Sequence, residues 1–241
     1  MNLSELNQAE LNQAELNQAD LNQANPNQTN SAYPPPQRLS FPASEMSHKW
    51  LCMLIESYFT ADKGVFADIA RMEKKGRKLA CAKGCSSCCR THVSIPVYPI
   101  ELAGMSWYAV EKVKEPVRAK LIRQIKEHTP EKSCLFLVVE VCSVHPVRPL
   151  ACRFFNVFGN PCDEGEDAYY TRRKDVMTPS KQAKNEALKI TLPFYGIKDH
   201  STKKWLIKQG GIHRMAREMR ACDWHVLADK MEDFDKGESE K

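Results

Sequence analysis

The sequence lacks a long apolar segment. Its longest apolar runs, such as LFLVV at 135–139, are far shorter than the roughly 20 residues that a membrane-spanning helix needs. The amino terminus, MNLSELNQAE, has neither the basic region nor the apolar region of a secretory signal. We therefore expect no membrane partner and a cytoplasmic location, where thiols stay reduced.

The sequence also lacks the patterns of common catalytic folds. It has no series of β-rich segments alternating with helices, which a βα-barrel requires, and no Gly-rich nucleotide-binding loop. Its scattered histidines have no Asp or Glu at the positions of a catalytic triad. The sequence therefore assigns no catalytic residue, and it leaves open whether the protein is an enzyme.

The first part of the chain has little apolar content. Residues 4–28 repeat a five-residue unit, SELNQAELNQAELNQADLNQANPNQ. Its A-[DE]-L-x-x register suits a pentapeptide solenoid, but five copies give barely more than one coil. One Leu per repeat buries too little surface to offset the entropy of ordering the chain. YPPPQRLSFP at 33–42 is typical of a polyproline-type linker. We predict that residues 1–44 are a disordered repeat and linker, and that 236–241 form a frayed tail.

The rest of the sequence has apolar residues at helical spacing. This periodicity predicts helices over seven segments: 47–59, 64–80, 99–113, 115–128, 180–190, 201–209 and 212–232. Residues 133–162 have little regular pattern. We predict a mostly α fold, in which one small helical domain over 45–235 carries irregular Cys-rich loops stabilised by metal, with its core motif at 78–162.

Cysteine is abundant for a chain of 241 residues. In a reducing compartment, ten cysteines favour metal or redox chemistry over a disulfide framework. Two of them, Cys52 and Cys222, lie in helical patterns, and we predict that both are buried as small hydrophobic residues. The other eight are the predicted metal ligands: Cys81, Cys85, Cys88, Cys89, Cys134, Cys142, Cys152 and Cys162.

The spacing of these thiols indicates a tetrahedral site. CAKGCSSCCR at 81–90 contains a C-x2-C pair, Cys85 and Cys88, which can place two thiolates on one ion. Gly84 permits the left-handed turn that such loops often need. CSVHPVRPLACR at 142–153 supplies Cys142 and Cys152 from a loop stiffened by two prolines. These four cysteines rank first as ligands. The others follow in the order Cys81, Cys89 and Cys134, then Cys162.

The number of sites stays open. Eight thiols suffice for two four-thiolate sites, or for one site with spare thiols. Adjacent Cys88 and Cys89 are expected to point in different directions, so that they serve different metals or one of them bridges two. His145 is interpreted as a polar neighbour, with an extra ligand as the alternative. Three arginines are interpreted either as donors that offset thiolate charge or as solvent-facing residues: Arg90, Arg148 and Arg153.

The combined motif resembles a known family. CAKGCSSCCR, CLFL at 134–137 and CSVHPVRPLACRFF at 142–155 are similar to the YkgJ-type cysteine-cluster proteins, which are described as zinc- or iron-chelating domains. The resemblance covers residues 78–162. It departs from the family's pattern at His145, where Tyr is common, and at Leu135, where Pro is common. It implies that the cysteines chelate Zn²⁺ or iron, and it implies no substrate.

Two alternatives accompany that interpretation. The C-x3-C-x2-C spacing of Cys81, Cys85 and Cys88 is also that of radical SAM enzymes, although the sequence lacks the β-rich segments that their βα-barrel requires. Cys-rich loops bind iron–sulfur clusters without it, and flagellin lysine methylases carry a similar region, which implies an iron–sulfur-dependent enzyme. The basic stretches KKGRK at 74–78 and RRK at 172–174 motivate a zinc module that binds nucleic acid. The expected partner is a metal ion, and no oligomeric state is predicted.

Overall fold

The computed structural model describes residues 34–129 and 133–239. The repeat at 4–28 lies outside the described residues, so its predicted disorder stays a prediction. The chain divides into two compact units: unit 1 contains the residues up to Leu79 and Thr178–Arg214, and unit 2 contains Ala80–Met177 and the residues from Met215 onward. Helices dominate the described residues, and the predicted mostly α class is confirmed.

Unit 1 is built around one long helix. Its helices are α1 (Pro42–Ser47), α2 (Lys49–Glu73), α8 (Lys181–Thr191) and α9 (His200–Lys208). The sequence predicts two helices where α2 is continuous, and that prediction is wrong because Gly64 lies inside the helix. A Cβ atom at this position would lie 2.2 Å from the Cβ of Ala183 in α8. Glycine therefore allows α2 and α8 to pack at short range.

Two further contacts fix unit 1. The Asp68 carboxylate in α2 accepts a hydrogen bond of 2.6 Å from the backbone N–H of Ser180, directly before α8. Phe41 is fully buried, and α1 begins at the next residue with Pro42 in its first turn. The sequence places Phe41 in the linker, whereas the structure makes it part of the core.

Unit 2 consists of shorter elements. Its helices are α3 (Ser87–Thr91), α4 (Pro99–Glu111), α5 (Val117–Lys126), α6 (Leu150–Phe154), α7 (Ala168–Thr171) and α10 (His225–Ser239). Two antiparallel pairs form small sheets: β1 (Pro96–Val97) with β4 (Arg217–Glu218), and β2 (Leu137–Val138) with β3 (Val141–Cys142). The 3-10 turns of the two units span 145–147, 173–175, 192–195, 211–215 and 219–221.

Helices α4, α5 and α10 pack together in unit 2. The buried guanidinium of Arg118 in α5 donates hydrogen bonds to the carbonyls of Ala109 and Val110 in α4, at 3.0 and 2.8 Å, and to the Asp235 carboxylate in α10 at 2.8 Å. This one side chain therefore satisfies carbonyls that the end of α4 leaves unpaired.

The predicted helix over 212–232 is wrong. Residues 217–218 pair with β1, and regular helix begins only at His225. Cys222 therefore lies outside any helix, and its thiol donates to the Glu218 carbonyl at 3.5 Å. Cys52 does lie in α2. Both residues are half-buried, which corrects the prediction that they are buried. Among the described residues, no helix combines the length and apolar character needed to cross a membrane.

Candidate metal centre

The predicted ligands share one unit. All eight cysteines between residues 81 and 162 lie in unit 2, whereas Cys52 lies in unit 1. All ten cysteines of the chain are free thiols. All eight predicted ligands therefore lie in the same compact unit.

The first group of thiols lies on a turn followed by a short helix. Gly84 adopts a φ of 79°, as the sequence predicts, and the next residue, Cys85, is exposed. Helix α3 then carries Cys88 and Cys89. A hydrogen bond between these two thiols is the largest cause that raises the pKa of Cys88. The two thiols are therefore neighbours, and whether they serve one metal or two stays a prediction.

A hairpin brings two more thiols to this helix. The backbone N–H of Cys134 donates to the Cys89 carbonyl at 2.7 Å. In the hairpin that follows, Leu137 of β2 lies opposite Cys142 of β3. The N–H of Ser143 donates to the Phe136 carbonyl at 2.8 Å and extends the pairing. Backbone hydrogen bonds thus join segments that are 45 residues apart in the chain.

Helix α6 carries Cys152, and Glu101 fixes its start. One carboxylate oxygen of Glu101 accepts from the Leu150 N–H at 2.7 Å, and the other accepts from the Tyr98 N–H at 2.9 Å. The side chain is 1% exposed. Glu101 therefore caps two helices, α4 and α6. The sequence predicts its favourable place in the first turn of α4, but gives no sign of its second role.

Four thiols form a set that we call the inner quartet: Cys88, Cys134, Cys142 and Cys152. Burial raises the pKa of Cys134 to about 11 and that of Cys142 to about 12, and it raises the pKa of Cys152 well above the ordinary value. In every pair of quartet thiols, the charge of one thiol adds to the rise in the pKa of the other. The four side chains are therefore mutual neighbours.

Three other thiols form a set that we call the outer triad: Cys81, Cys85 and Cys162. The N–H of Val157 donates to the Cys81 sulfur at 3.3 Å. Burial raises the pKa of Cys81 to about 11, and the charges of Cys85 and Cys162 add to the rise. Cys81 and Cys162 also pack against one small apolar cluster. Its buried members are Val157, Ala168 and Val176.

Arginines near the thiols have different roles. The charge of Arg148 lowers the pKa values of Cys142 and Cys152 against the effect of burial, and Arg220 does the same for Cys134. Arg148 therefore lies where it can offset thiolate charge, as one of the two interpretations of the sequence has it.

The other two predicted arginines make contacts that fix the loops. Arg90 is ion-paired with Glu140 at the tip of the hairpin. The buried Arg153 donates to the carbonyls of Pro146 and Arg148. These contacts brace the segments that carry the thiols.

His145 is a buried neutral ring. Burial, followed by the charges of Arg148 and Arg153, lowers its pKa to about 2. Its Nδ1 lies 3.3 Å from Nη1 of Arg148. Since a guanidinium only donates, Nδ1 is the acceptor and the ring proton lies on Nε2. This tautomer suits a polar neighbour rather than a metal ligand.

The sequence misses Arg172 as a residue of the site. Arg172 lies 3.8 Å from the Cys162 sulfur and is ion-paired with Glu166 at 2.8 Å. It also donates to the carbonyls of Asn160 and Pro161. Arg172 therefore holds the loop of Cys162. Arg172 follows Cys162 by ten residues, and no local sequence pattern connects the two. In the sequence it therefore appears only as part of the basic stretch RRK, which suggests nucleic-acid contacts.

The thiols lie near one another, but their side chains do not converge on one metal position. Among the residues that the structure describes, no three or more His, Cys, Asp or Glu side chains are grouped tightly enough to hold a metal ion. Sulfur atoms in a tetrahedral zinc site are about 3.8 Å apart, given Zn–S bonds of about 2.3 Å. The donor set is chemically suited to a soft ion, and the side chains would have to move closer to bind one.

Comparison with known proteins supports metal chemistry in this unit. Residues 80–188 match the model of the CxxCxxCC family, described as "Putative zinc- or iron-chelating domain". The matched range contains all eight predicted ligands, and the resemblance that the cysteine spacing suggested is confirmed. No curated protein and no solved structure matches the chain.

Proposed function

Because residues 80–188 match the model of this zinc- or iron-chelating family, we propose that the protein binds a thiophilic metal ion through the cysteines of unit 2. One observation carries the proposal: three separate stretches of chain bring the inner quartet together. Helix α3 supplies Cys88, the hairpin and the segment directly before it supply Cys142 and Cys134, and helix α6 supplies Cys152. Mutual proximity of four soft donors is what a tetrahedral thiolate site requires.

Charge supports the same proposal. Four thiolates around a divalent ion leave a net charge of about −2. Arg148 and Arg220 lie close enough to lower the pKa values of quartet thiols, so they can offset that charge. Sulfur donors favour zinc and iron over hard cations such as Mg²⁺. A reduced cytoplasmic compartment would keep the thiols available.

The proposed role is structural or storage binding. A closed four-thiolate zinc site would cross-link the separate segments that carry the quartet thiols. An iron–sulfur cluster on the same thiols would instead supply redox chemistry, and the experiment below distinguishes the two. The RRK segment gives no support for nucleic-acid binding. Arg172 is ion-paired with Glu166, and residues 163–175 carry five acidic side chains against three basic ones.

Anaerobic purification of the full chain tests the proposal. Zinc and iron are counted per chain, and the visible spectrum is recorded. We expect metal in stoichiometric amount, in a colourless protein if it is zinc. A brown protein with sulfide and several irons per chain would replace zinc with a cluster and keep thiolate binding.

Single substitutions locate the metal. Cys134→Ser and Cys152→Ser each remove a quartet thiol, so both should lose metal. Cys52→Ser is the matched control, because its thiol lies in unit 1, and its metal content should equal that of the wild type. Wild-type protein without zinc or iron, or full metal content in both quartet variants, would contradict the proposal.

A further inference from the structure

We propose that one face of helix α9 in unit 1 is the docking surface for the acidic five-residue repeat of the same chain. The face is a row of four residues that we call the basic stripe: Ser201, Lys204, Trp205 and Lys208. The repeat at 4–28 lies outside the described residues, and its sequence supplies the matching charge. The inference concerns unit 1, so it is independent of the metal binding proposed for unit 2.

The four residues of the basic stripe share one open face of α9. They follow one another at spacings of three and four residues, which places their side chains in one row along a helix. All four are exposed, and the Trp205 side chain keeps 61% of its surface open to solvent. Each of the nine residues of α9 is at least partly exposed, although the helix contacts α8. The stripe is therefore a surface that unit 1 leaves uncovered.

The apolar neighbours of Trp205 lie on the other side of the helix. Leu206 and Ile207 are half-buried. A Cβ atom at Gly211 would lie 2.5 Å from Cδ1 of Leu206, so this leucine packs against the turn that follows α9. The exposed Trp205 ring therefore has lysines beside it rather than further apolar groups. Such a surface fits a partner that alternates acidic and apolar groups, whereas a membrane surface requires a wide apolar face.

The basic stripe belongs to a segment with excess positive charge. Residues 198–208 contain four lysines and one acid, Asp199. The Asp199 carboxylate accepts a hydrogen bond of 2.7 Å from the Thr202 N–H and thereby caps α9. Within the described part of the chain, neither Lys204 nor Lys208 is ion-paired. Both amines can therefore pair with carboxylates of a docked segment.

The repeat has the complementary pattern. Residues 1–33 contain four acids and no Lys, Arg or His, and each acid is followed directly by a leucine. The four acid–leucine pairs recur every five residues, at 5–6, 10–11, 15–16 and 20–21. One pair can place its carboxylate at a lysine of the stripe and its leucine on the Trp205 ring. Four copies give the stripe four equivalent partners, which increases the fraction of time that one is bound.

The chain between the repeat and unit 1 is long enough for this contact. Residues 21–33 span up to about 45 Å when extended, while a unit of about 80 residues is about 30 Å across. The described chain begins in unit 1 at Pro34, so the whole surface of this unit is within reach. Because repeat and stripe belong to one chain, weak exposed ion pairs suffice at an effective concentration of about 1 mM.

A second basic segment of unit 1 fits the repeat less well. KKGRK at 74–78 follows the end of α2 and carries four positive charges, but it has no apolar side chain to receive a leucine. Lys74 and Lys75 are exposed, as Lys204 and Lys208 are. These two lysines are therefore matched controls for contacts that depend on charge alone.

Zero-length cross-linking of the full chain tests the contact. A carbodiimide joins a carboxylate to a lysine amine as an amide, with loss of water, where the two groups are in contact. Arg38 is the first Lys or Arg of the chain, so trypsin leaves the whole repeat in the peptide 1–38. We expect this peptide on Lys204 or Lys208 at about fivefold the yield on Lys74, and we expect about 1 M salt to remove the difference.

Substitution of the aromatic ring separates packing from charge. Trp205→Ala keeps every charge of the stripe and removes the surface on which a leucine would pack, so the cross-link yield should fall by about twofold or more. Trp205→Phe keeps an aromatic ring and should keep most of the yield. Equal yields in wild type and Trp205→Ala would overturn the part of Trp205 in the docking surface.

Lysine acetylation gives a readout that needs no cross-link. The full chain is compared with a variant that carries four substitutions: Glu5→Gln, Glu10→Gln, Glu15→Gln and Asp20→Asn. In the variant, Lys204 and Lys208 should react about twofold faster or more, because a contact formed half of the time shields the amine for that half. Lys74 should react at the same rate in both proteins.

Four results would overturn the proposal. The first is equal cross-linking at Lys74 and at the stripe, and the second is an unchanged acetylation rate in the four-acid variant. A cross-link that joins two chains, seen as a dimer on a denaturing gel, would assign the stripe to a second copy of the protein. Shielding of Lys204 and Lys208 that nuclease treatment removes would assign it to a nucleic acid.

Discussion

Unit 1 and the thiol-bearing part of unit 2 are stabilised in different ways. In unit 1, the long helix α2 buries an apolar face, and Gly64 lets it pack closely against α8. In unit 2, the thiols lie on helices of five residues, two-residue strands and the loops between them. The apolar cluster beside the outer triad has only three buried members. The helix pair derives its stability from packing along its length, whereas the thiol-bearing segments combine buried side chains such as Phe136 and Val147 with backbone hydrogen bonds between segments and, in our proposal, with metal ligation.

Metal removal should separate the two regions most strongly. Structural zinc contributes on the order of 10–16 kcal/mol in small zinc modules, so chelation should destabilise the thiol loops. Hydrogen exchange of the full chain should show faster exchange at the N–H groups of Cys134 and Val157, which donate to thiol-bearing segments. Amides in the middle of α2 should keep their protection. Equal protection of all these amides with and without chelator would show that the regions do not differ in this way.

The second largest effect should come from acid, which should weaken metal binding. The pKa values of Cys134 and Cys142 are raised to about 11 and about 12, so these thiols are protonated at neutral pH and must lose protons to bind. With about four protons released per ion at the quartet, affinity should fall as pH falls, by up to about 10⁴-fold per pH unit. Calorimetry in two buffers of different protonation enthalpy counts the protons. Binding that releases none would rule out thiolate ligation.

Overpacking should affect unit 1. Gly64→Val places side-chain atoms where a Cβ alone would lie 2.2 Å from Ala183, and we expect a loss of about 3 kcal/mol in the free energy of unfolding. The control is Gly237→Ala in α10, which has open space around it and should gain about 0.5–1 kcal/mol. Urea denaturation measures both. Gly64→Val with wild-type stability would refute close packing at this position.

The smallest effect should come from changing Glu101, whose side chain caps both α4 and α6. Glu101→Gln keeps the size of the side chain but has one acceptor oxygen for two N–H groups, at Tyr98 and Leu150. We expect a cost of about 1–2 kcal/mol and about tenfold weaker zinc binding, since α6 positions Cys152. Glu186→Gln, at a half-exposed site in α8, is the control for loss of a carboxylate. If both variants bind zinc equally well, Glu101 does not position the site.

The sequence predicts the fold where periodicity is local. Helices α4, α5, α8 and α9 lie within a few residues of their predicted bounds. Prediction fails where a distant partner decides the structure. From the sequence alone, Gly64 is assigned to the start of a helix, and only the fold shows that it allows close packing against Ala183. Residues 217–218 pair with a strand about 120 residues earlier in the chain.

Prediction of the candidate metal centre is limited in the same way by contacts between distant residues. Spacing and composition identify the eight thiols, but only the fold brings Cys162 near Cys81 and Cys85. The nearness of Cys134 to Cys88 depends on one backbone hydrogen bond to Cys89. Arg220 is remote from Cys134 in sequence, and only the fold brings its charge to that thiol.

X-ray absorption at the metal edge of the anaerobically purified full chain tests thiolate binding most directly. We predict a first coordination shell dominated by sulfur at about 2.3 Å, with four sulfurs around the ion of the quartet. A shell dominated by nitrogen or oxygen at about 2.0–2.1 Å would contradict the claim that the cysteines of unit 2 are the metal ligands.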